Sequence, residues 1–397
     1  MTVTVTVTDA RPALDVHAVL REVVERLAPL DRTPCSPGER AAAEWLATRL
    51  GDAGCEVALE DAPGWGPFPP TVVGLCVSGV IAAALGVAGR RRTSLGLSAL
   101  GLLGLADEVQ NGPRILRRLT RRQRTTVNVV ARAGDVRAQR TLLVLAHHDA
   151  AQSGAFYDQT LLRRAWALFP GFVGGLRTSL PQWWLGLAGA LLSATGRRRG
   201  QWAGLAVALA STLAVVDIHR SPTVPGANDN LSACAVLVAL AERLRETPTP
   251  GVRVLLVSCG AEEALQDGIR GFVARHAGEL PPEHTRVLNL DTVGSPELGL
   301  LEGEGGLWIE DYVGRDWRDE IVATAERHGI ALERGFRARA STDGIIPSRA
   351  GLPTATLISV TPWRALANYH LPTDTPENLD YDTVGEALRL TEALVRS

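Results

Sequence analysis

Five residues spread along the chain have side chains that hold divalent cations: His147, Asp229, Glu263, Asp291 and His370. Imidazole nitrogens and carboxylate oxygens are ligands that zinc accepts. Five of them can serve two ions if one carboxylate bridges. Glu262 stands directly before Glu263. Adjacent acids allow a division of labour, in which one holds metal and the other takes a proton from an activated water. Asp149 follows two residues after His147. A zinc-binding imidazole ordinarily donates its other N–H to such a carboxylate, which fixes the tautomer. The chemistry expected is hydrolysis by a water activated between two metal ions.

Each signal taken singly has an ordinary structural alternative. Asp229 lies in Gly226-Ala227-Asn228-Asp229-Asn230, just before a helical run, and could cap that helix, as could Asn230 or Ser232. Adjacent acids such as Glu262-Glu263 are common on surface loops, although an apolar strand precedes these two. Asp291 ends another apolar run, where an unpaired carboxylate is costly. Tyr369 and His370 precede Pro372-Thr373-Asp374 in a loop context. Asp343 reads as a turn aspartate, with pocket lining as the alternative. His148 is expected on the opposite side of its strand from His147, as an outer or lining residue.

The elements that must position these groups are legible from periodicity. Residues 141–147, 252–259 and 284–291 are apolar enough to be strands buried on both faces. Further strands are expected at 55–59, 125–132 and 354–360. Helices are expected at 13–30, 37–53, 231–245, 268–277, 316–329 and 383–396, the second opening on Ser36-Pro37-Gly38-Glu39. Apolar strands alternating with helices predict an α/β fold with a mixed, largely parallel central sheet flanked by helices. His147, Glu263 and Asp291 then fall at or just beyond strand C-termini, the edge where such sheets bind ligands.

Two segments do not suit a soluble enzyme. Residues 71–106 and 182–217 are apolar, each interrupted by three arginines, Arg90–Arg92 and Arg197–Arg199. Each reads as a helical hairpin inserted into a domain that otherwise runs from 9 to 397. Only the run at 71–89 approaches the roughly 20 apolar residues a bilayer span needs. Trp183, Trp184 and Trp202 sit where interfacial aromatics would. The expectation is membrane association through the hairpins, the alternative a buried cap or an interface between copies. The formal net charge of −2 over 397 residues argues for no nucleic-acid partner. The five cysteines are scattered and are expected to be free thiols. The N-terminal M-T-V-T-V-T-V-T-D does not have the pattern of a secretory signal.

The motifs H-H-D, G-A-N-D-N, A-E-E, N-L-D-T-V-G and Y-H-L-P-T-D-T occur in this order. With them the chain resembles the di-zinc aminopeptidase family that includes bacterial leucyl aminopeptidases, glutamate carboxypeptidase and the transferrin receptor ectodomain. The likeness extends to R-T-P-C-S-P-G-E-R near the start and S-T-D-G-I-I-P near the end, and covers nearly everything outside the hairpins. It implies a zinc-exopeptidase-like phosphorylase/hydrolase fold and two Zn2+ per chain. One ion would be held by His147 and Asp291, the other by Glu263 and His370, with Asp229 bridging. Glu262 would be the general base, and Tyr369 by analogy a donor to the oxyanion. The interval from His147 to Asp229 is long for the family, and the second hairpin accounts for it. A sister family with the same ligand types has a lid domain between its fourth and fifth ligands, for which this chain leaves no room. His148, Ala233 and Ile269 depart from the family's usual residues and bear on substrate preference.

The function expected is an exopeptidase, an aminopeptidase hydrolysing the N-terminal bond of a peptide or small amide. The alternatives are a carboxypeptidase, an amidase on a non-peptide substrate, or a non-catalytic membrane-associated binding protein of the same fold. Arg114, Arg117, Arg118, Arg121, Arg122 and Arg124 follow the first hairpin. By the positive-inside rule they favour a catalytic domain on the cytoplasmic face.

Overall fold

The computed structural model describes residues 14–179, 184–195 and 197–397. The expected domain start at residue 9, the N-terminal motif, the start of the second hairpin and Trp183 lie outside these residues. Among the described residues, nine strands form one sheet: β1 Glu56–Gly64, β2 Arg124–Gly134, β3 Thr141–His147, β4 Arg253–Cys259, β5 Thr285–Leu290, β6 Glu297–Glu304, β7 Glu310–Asp311, β8 Glu333–Ala338 and β9 Thr354–Val360. Their order is β1-β2-β4-β3-β5-β9-β6-β7, with β8 also paired to β6.

The four central strands, β4, β3, β5 and β9, are mutually parallel, while β1, β2 and β7 pair antiparallel and β6 runs antiparallel to β9. The sheet is therefore mixed, and parallel where the expected ligands lie. A parallel strand covered on both faces needs apolar residues throughout, and every residue of β3 is buried. Leu142, Val144 and Ala146 join one core, and Leu143 and Leu145 the other. That alternation follows from successive side chains pointing to opposite faces.

The helices Val16–Leu27, Pro37–Asp52, Ser232–Glu246 and Tyr381–Arg396 supply the first core. The helix Asp267–His276 supplies the second through Ile269 and Phe272. Ser36 caps Pro37–Asp52 by accepting from the Glu39 N–H at 3.1 Å. The expected elements are present with shifted ends, and the strand expected at 55–59 continues to Gly64. Strands β6, β7 and β8 were not anticipated, because three glycines (Gly299, Gly303 and Gly335) and five glutamates break the apolar signal.

Both apolar insertions are helical hairpins. The first is Pro69–Val87 with Arg91–Val109, the second Trp184–Ala194 with Arg198–Arg220. The four helices pack on one another around Val72, Cys76, Leu105, Val109 and Leu187, with Leu307, between β6 and β7, closing the cluster. Backbones approach closely where glycine removes a side chain. A Cβ on Gly204 would lie 2.4 Å from Ser193 Oγ and 2.8 Å from the Gly189 carbonyl oxygen. Facing outward and exposed are Ile81, Leu100, Leu103, Leu191, Trp202 and Leu213. By length and composition, Pro69–Val87 (19 residues, mean hydropathy 2.0) and Arg198–Arg220 (23 residues, 1.6) are long and apolar enough to cross a membrane. The second exceeds its uncharged run because the helix takes in Asp217 and His219 at its foot.

Candidate metal centre

The parallel centre of the sheet places its strand C-termini along one edge. His147 is the last residue of β3, Glu262 and Glu263 follow β4, and Asp291 follows β5. Asp229 and His370 come from loops folded over that edge, before Ser232–Glu246 and after β9. The Asp229 carboxylate lies between the two imidazoles. Its Oδ1 is 3.2 Å from His147 Nε2 and its Oδ2 is 3.1 Å from His370 Nε2. Glu263 Oε1 is 3.2 Å from the same His370 nitrogen, and Glu262 Oε2 is 4.0 Å from His147 Nε2. Asp149 Oδ1 is 3.4 Å from His147 Nδ1. Its two oxygens also accept the Glu262 and Glu263 backbone N–H groups, each at 3.0 Å. One carboxylate thus orients a histidine on β3 and the acidic pair after β4.

Asp229 is not an N-cap. No side chain caps Ser232–Glu246 at its start, and Asp229 gives its own N–H to Asp374 Oδ2 at 3.1 Å. The asparagines beside it act as staples. Asn228 Oδ1 accepts from Gly294 N at 2.8 Å, while Asn230 accepts from Thr292 N at 3.0 Å and donates to the Leu290 carbonyl at 2.9 Å. They tie the Asp229 loop to the end of β5, next to Asp291.

The centre is buried and crowded with acid. Burial pushes Asp291 up to about 7, with Asp229 adding to the shift, and pushes Asp343 up to about 8. Glu262 is driven well above the ordinary carboxylate range by burial and by Glu263, Asp343 and Asp291, against the pull of His147. Burial opposes charge on His147 and His370 too, yet the surrounding carboxylates hold both well above the ordinary histidine value. Asp229 is lowered by the two histidines despite its burial. Asp229 Oδ2 and His370 Nε2 have no hydrogen-bond partner although they are 3.1 Å apart. Two ligand atoms aimed at a common ion are placed this way. His147, Asp229 and Glu263 each present a ligand atom within 4.8 Å of the others. A divalent cation among these groups would offset the repulsion that holds the carboxylates toward their neutral form. The donor set fits zinc.

Other expectations resolve individually. Tyr369 stacks on the His370 ring, centroids 3.8 Å apart. Burial, with Asp229 and Glu263, raises its hydroxyl pKa, so it remains a donor at neutral pH. His148 turns away from the centre to Ser258 Oγ at 2.9 Å. Burial lowers its pKa to about 4, so it is neutral. Asp343 stands in a turn, as its sequence suggests, and is 1% exposed beside the centre.

Several positioning residues escaped the sequence. Arg32, fully buried, donates to the carbonyls of Leu27, His148, Pro225 and Gly226, bracing the His147 and Asp229 loops from behind. Glu39 accepts the Ala261 N–H at 2.7 Å. Gln266 donates to Glu262 Oε1 at 2.6 Å. Tyr157 packs edge-on against His370, centroids 4.5 Å apart. The sequence marked Arg32 and Glu39 only as the ends of the stretch Arg32-Thr33-Pro34-Cys35-Ser36-Pro37-Gly38-Glu39, without a role for either.

Arg114 and Arg117, two of the six arginines counted toward a cytoplasmic face, are buried. They pair with Asp267 and Glu108, each at 2.6 Å, and donate to the carbonyls of Ala264 and Leu265, directly after the acidic pair. The first hairpin is thereby fastened to the loop that carries Glu262 and Glu263. Arg117→Leu strands the Glu108 carboxylate and is expected to cost about 3–5 kcal/mol, read as a lowered Tm in detergent. Adding Glu108→Leu should recover much of that loss. No recovery would mean the pair is not the anchor.

Residues 213–395 match the description "Peptidase family M28". Aminopeptidase YwaD of Bacillus subtilis (strain 168) is 29% identical over 188 residues, covering 44% of this chain and 38% of that protein. The chain spans only 31% and 38% of the length of the curated relatives it matches. In fold, it is similar to the aminopeptidase from Aneurinibacillus sp. strain AM-1, with TM-score 0.55 and 15% identity over 96% of this chain and 93% of that one. It is equally similar to the Bacteroides thetaiotaomicron glutaminyl cyclase solved with N-acetylhistamine, with TM-score 0.57 and 13% identity over 97% and 99%. The fold alone does not choose between those chemistries. The stretch similar to peptidase family M28 spans Asp229, Glu262, Glu263, Asp291 and His370, and His147 lies before it.

Proposed function

We propose that this protein is a membrane-associated di-zinc aminopeptidase. The observation that carries the reading is the Asp229 carboxylate, one oxygen against His147 and the other against His370. A bridging ligand between two ions requires that placement. His147 and Asp291 would hold one zinc and Glu263 and His370 the other.

Bound zinc supplies charge that polarises a carbonyl and makes a water acidic near neutral pH. Glu262 takes the proton as that water attacks the peptide carbonyl, then passes it to the leaving amine. Burial suits it to this work, because a base with a raised pKa holds the proton long enough to deliver it. Gln266 and the Asp149 carboxylate fix its position. Tyr369 donates to the oxyanion as the carbonyl carbon becomes tetrahedral.

The test is metal content beside turnover on a panel of aminoacyl amides, using detergent-purified protein. About two zinc per chain, loss of turnover on chelation and its return with zinc support the reading. Tightly held metal with turnover only on blocked amides would move the assignment to an amidase. Cyclisation of N-terminal glutamine would move it toward the cyclases of the same fold, and absence of tightly held metal would end it.

We place the catalytic domain on the cytoplasmic face. Arg118, Arg121, Arg122 and Arg124 remain to support this after the burial of Arg114 and Arg117. Labelling of a cysteine in the Arg197–Arg199 tip from the cytoplasm would reverse the orientation.

A further inference from the structure

Both hairpins rise from the sheet edge that carries the catalytic residues. The first ends at Gln110 and Asn111, and Asn111 Nδ2 bonds Ser341 Oγ at 2.6 Å, two residues before Asp343. The second ends at Arg220, nine residues before Asp229. Its last turn is joined to the catalytic body through Asp217 Oδ2, which accepts the Ala155 N–H at 2.7 Å. The centre therefore lies at the feet of the helices that the proposed function places in the membrane.

From Ala155 the chain forms a lip over the His370 loop. Tyr157 faces inward on His370, and Gln159 bonds the Leu366 carbonyl at 2.8 Å and Trp363 Nε1 at 3.0 Å. Arg364 holds the far end through the Gly174 carbonyl at 2.7 Å. The helix Thr160–Leu168 and the turn that follows it, Pro170–Gly174, make up the rest. Their outer side is apolar and unpartnered, with Leu161 77%, Leu168 73%, Phe169 64% and Phe172 75% exposed. Arg163 and Arg164 stand among them, and Arg163 lies over the Trp363 ring. A short amphipathic segment with large apolar side chains and arginines is built to lie in the headgroup region. This one is continuous with the foot of a helix of spanning length, so a bilayer is the occupant the geometry favours.

Resting on the aminopeptidase reading, we propose that the lip is embedded in the lipid–water interface and that the substrate is an amphiphile. It would be a peptide or amide held in the same bilayer by an apolar tail, with its free amine presented to the centre beneath the lip.

The test uses full-length protein in vesicles of phosphatidylcholine and phosphatidylglycerol. Leucine hexadecylamide is compared with leucine ethylamide, for wild type and for Phe169→Ser/Phe172→Ser. A site at the interface is expected to favour the tailed amide in kcat/KM by about ten-fold or more, since burial of the tail's methylenes concentrates it in the bilayer. The double variant should lose most of that ratio. A site remote from lipid would prefer the ethylamide, and an unchanged ratio in the variant would overturn the lip's role.

A spin label on Phe169→Cys, read against the unmutated chain's background, locates the lip whatever the substrate. Access to oxygen with exclusion of aqueous nickel places it in lipid. Access to both means water, and exclusion of both means a second copy or other protein contact; either overturns the proposal. Turnover of neither amide, with the label in lipid, would sink the aminopeptidase reading and the amphiphilic substrate while leaving the interfacial lip standing.

Discussion

Glu262→Gln is expected to keep its zinc and lose turnover by about 10²–10⁴-fold, the range general acid–base catalysis contributes. The amide has the shape of the carboxylate but cannot take a proton. The loop should not move, because its anchors are the Glu262 and Glu263 backbone N–H groups on Asp149 and the Ala261 N–H on Glu39. The loss should fall on kcat with KM little changed, since Glu262 acts on the water and not on the bound amine. Metal analysis beside steady-state kinetics separates this from a binding defect. A variant that retained activity would remove Glu262 from the mechanism, and one that lost metal would make it a ligand.

Asp229→Ala should have the larger effect on metal. Its two oxygens face different histidines, so one substitution strips a ligand from each proposed ion. Outer partners of metal ligands alone are worth about 10–100-fold in affinity, and a bridging ligand should exceed that. Both ions are expected to be lost on dialysis, and turnover with them. Asp291→Ala, which removes a ligand from one proposed ion, should leave about one zinc per chain. Equal retention in the two variants would refute the bridging role. Far-UV circular dichroism would check that the Asn228 and Asn230 staples still hold the fold.

The donor types were legible because metal chemistry restricts them to a few side chains, and their order along the chain made the combination specific. The strands β3, β4 and β5 were legible because strands covered on both faces must be apolar throughout. The missed strands β6 to β8 carry glutamates and glycines, whose polarity is answered by partners far along the chain. Glu302, for instance, pairs with Arg334 at 2.9 Å. The turn at Asp343 was legible, and its burial was not, because the local sequence carries no sign of it.

By itself the sequence determined which residues could bind metal, which strands would be central, and that two apolar hairpins interrupt the domain. Local pattern carries that much, since ligand type, periodicity and hydropathy are properties of short stretches. Only the tertiary structure decided how the candidate ligands converge. Ala261, Leu265, Gln266, Thr292, Asn368 and His370 all take positive φ around the centre. Such conformations cost about 1–3 kcal/mol each and persist only where surrounding contacts impose them. Those contacts include Arg32, Glu39, Asp149 and the Arg114–Arg117 anchor, which act across long separations in the chain. The same long-range packing set both hairpins on the catalytic edge, because where an insertion stands depends on what its ends are fastened to.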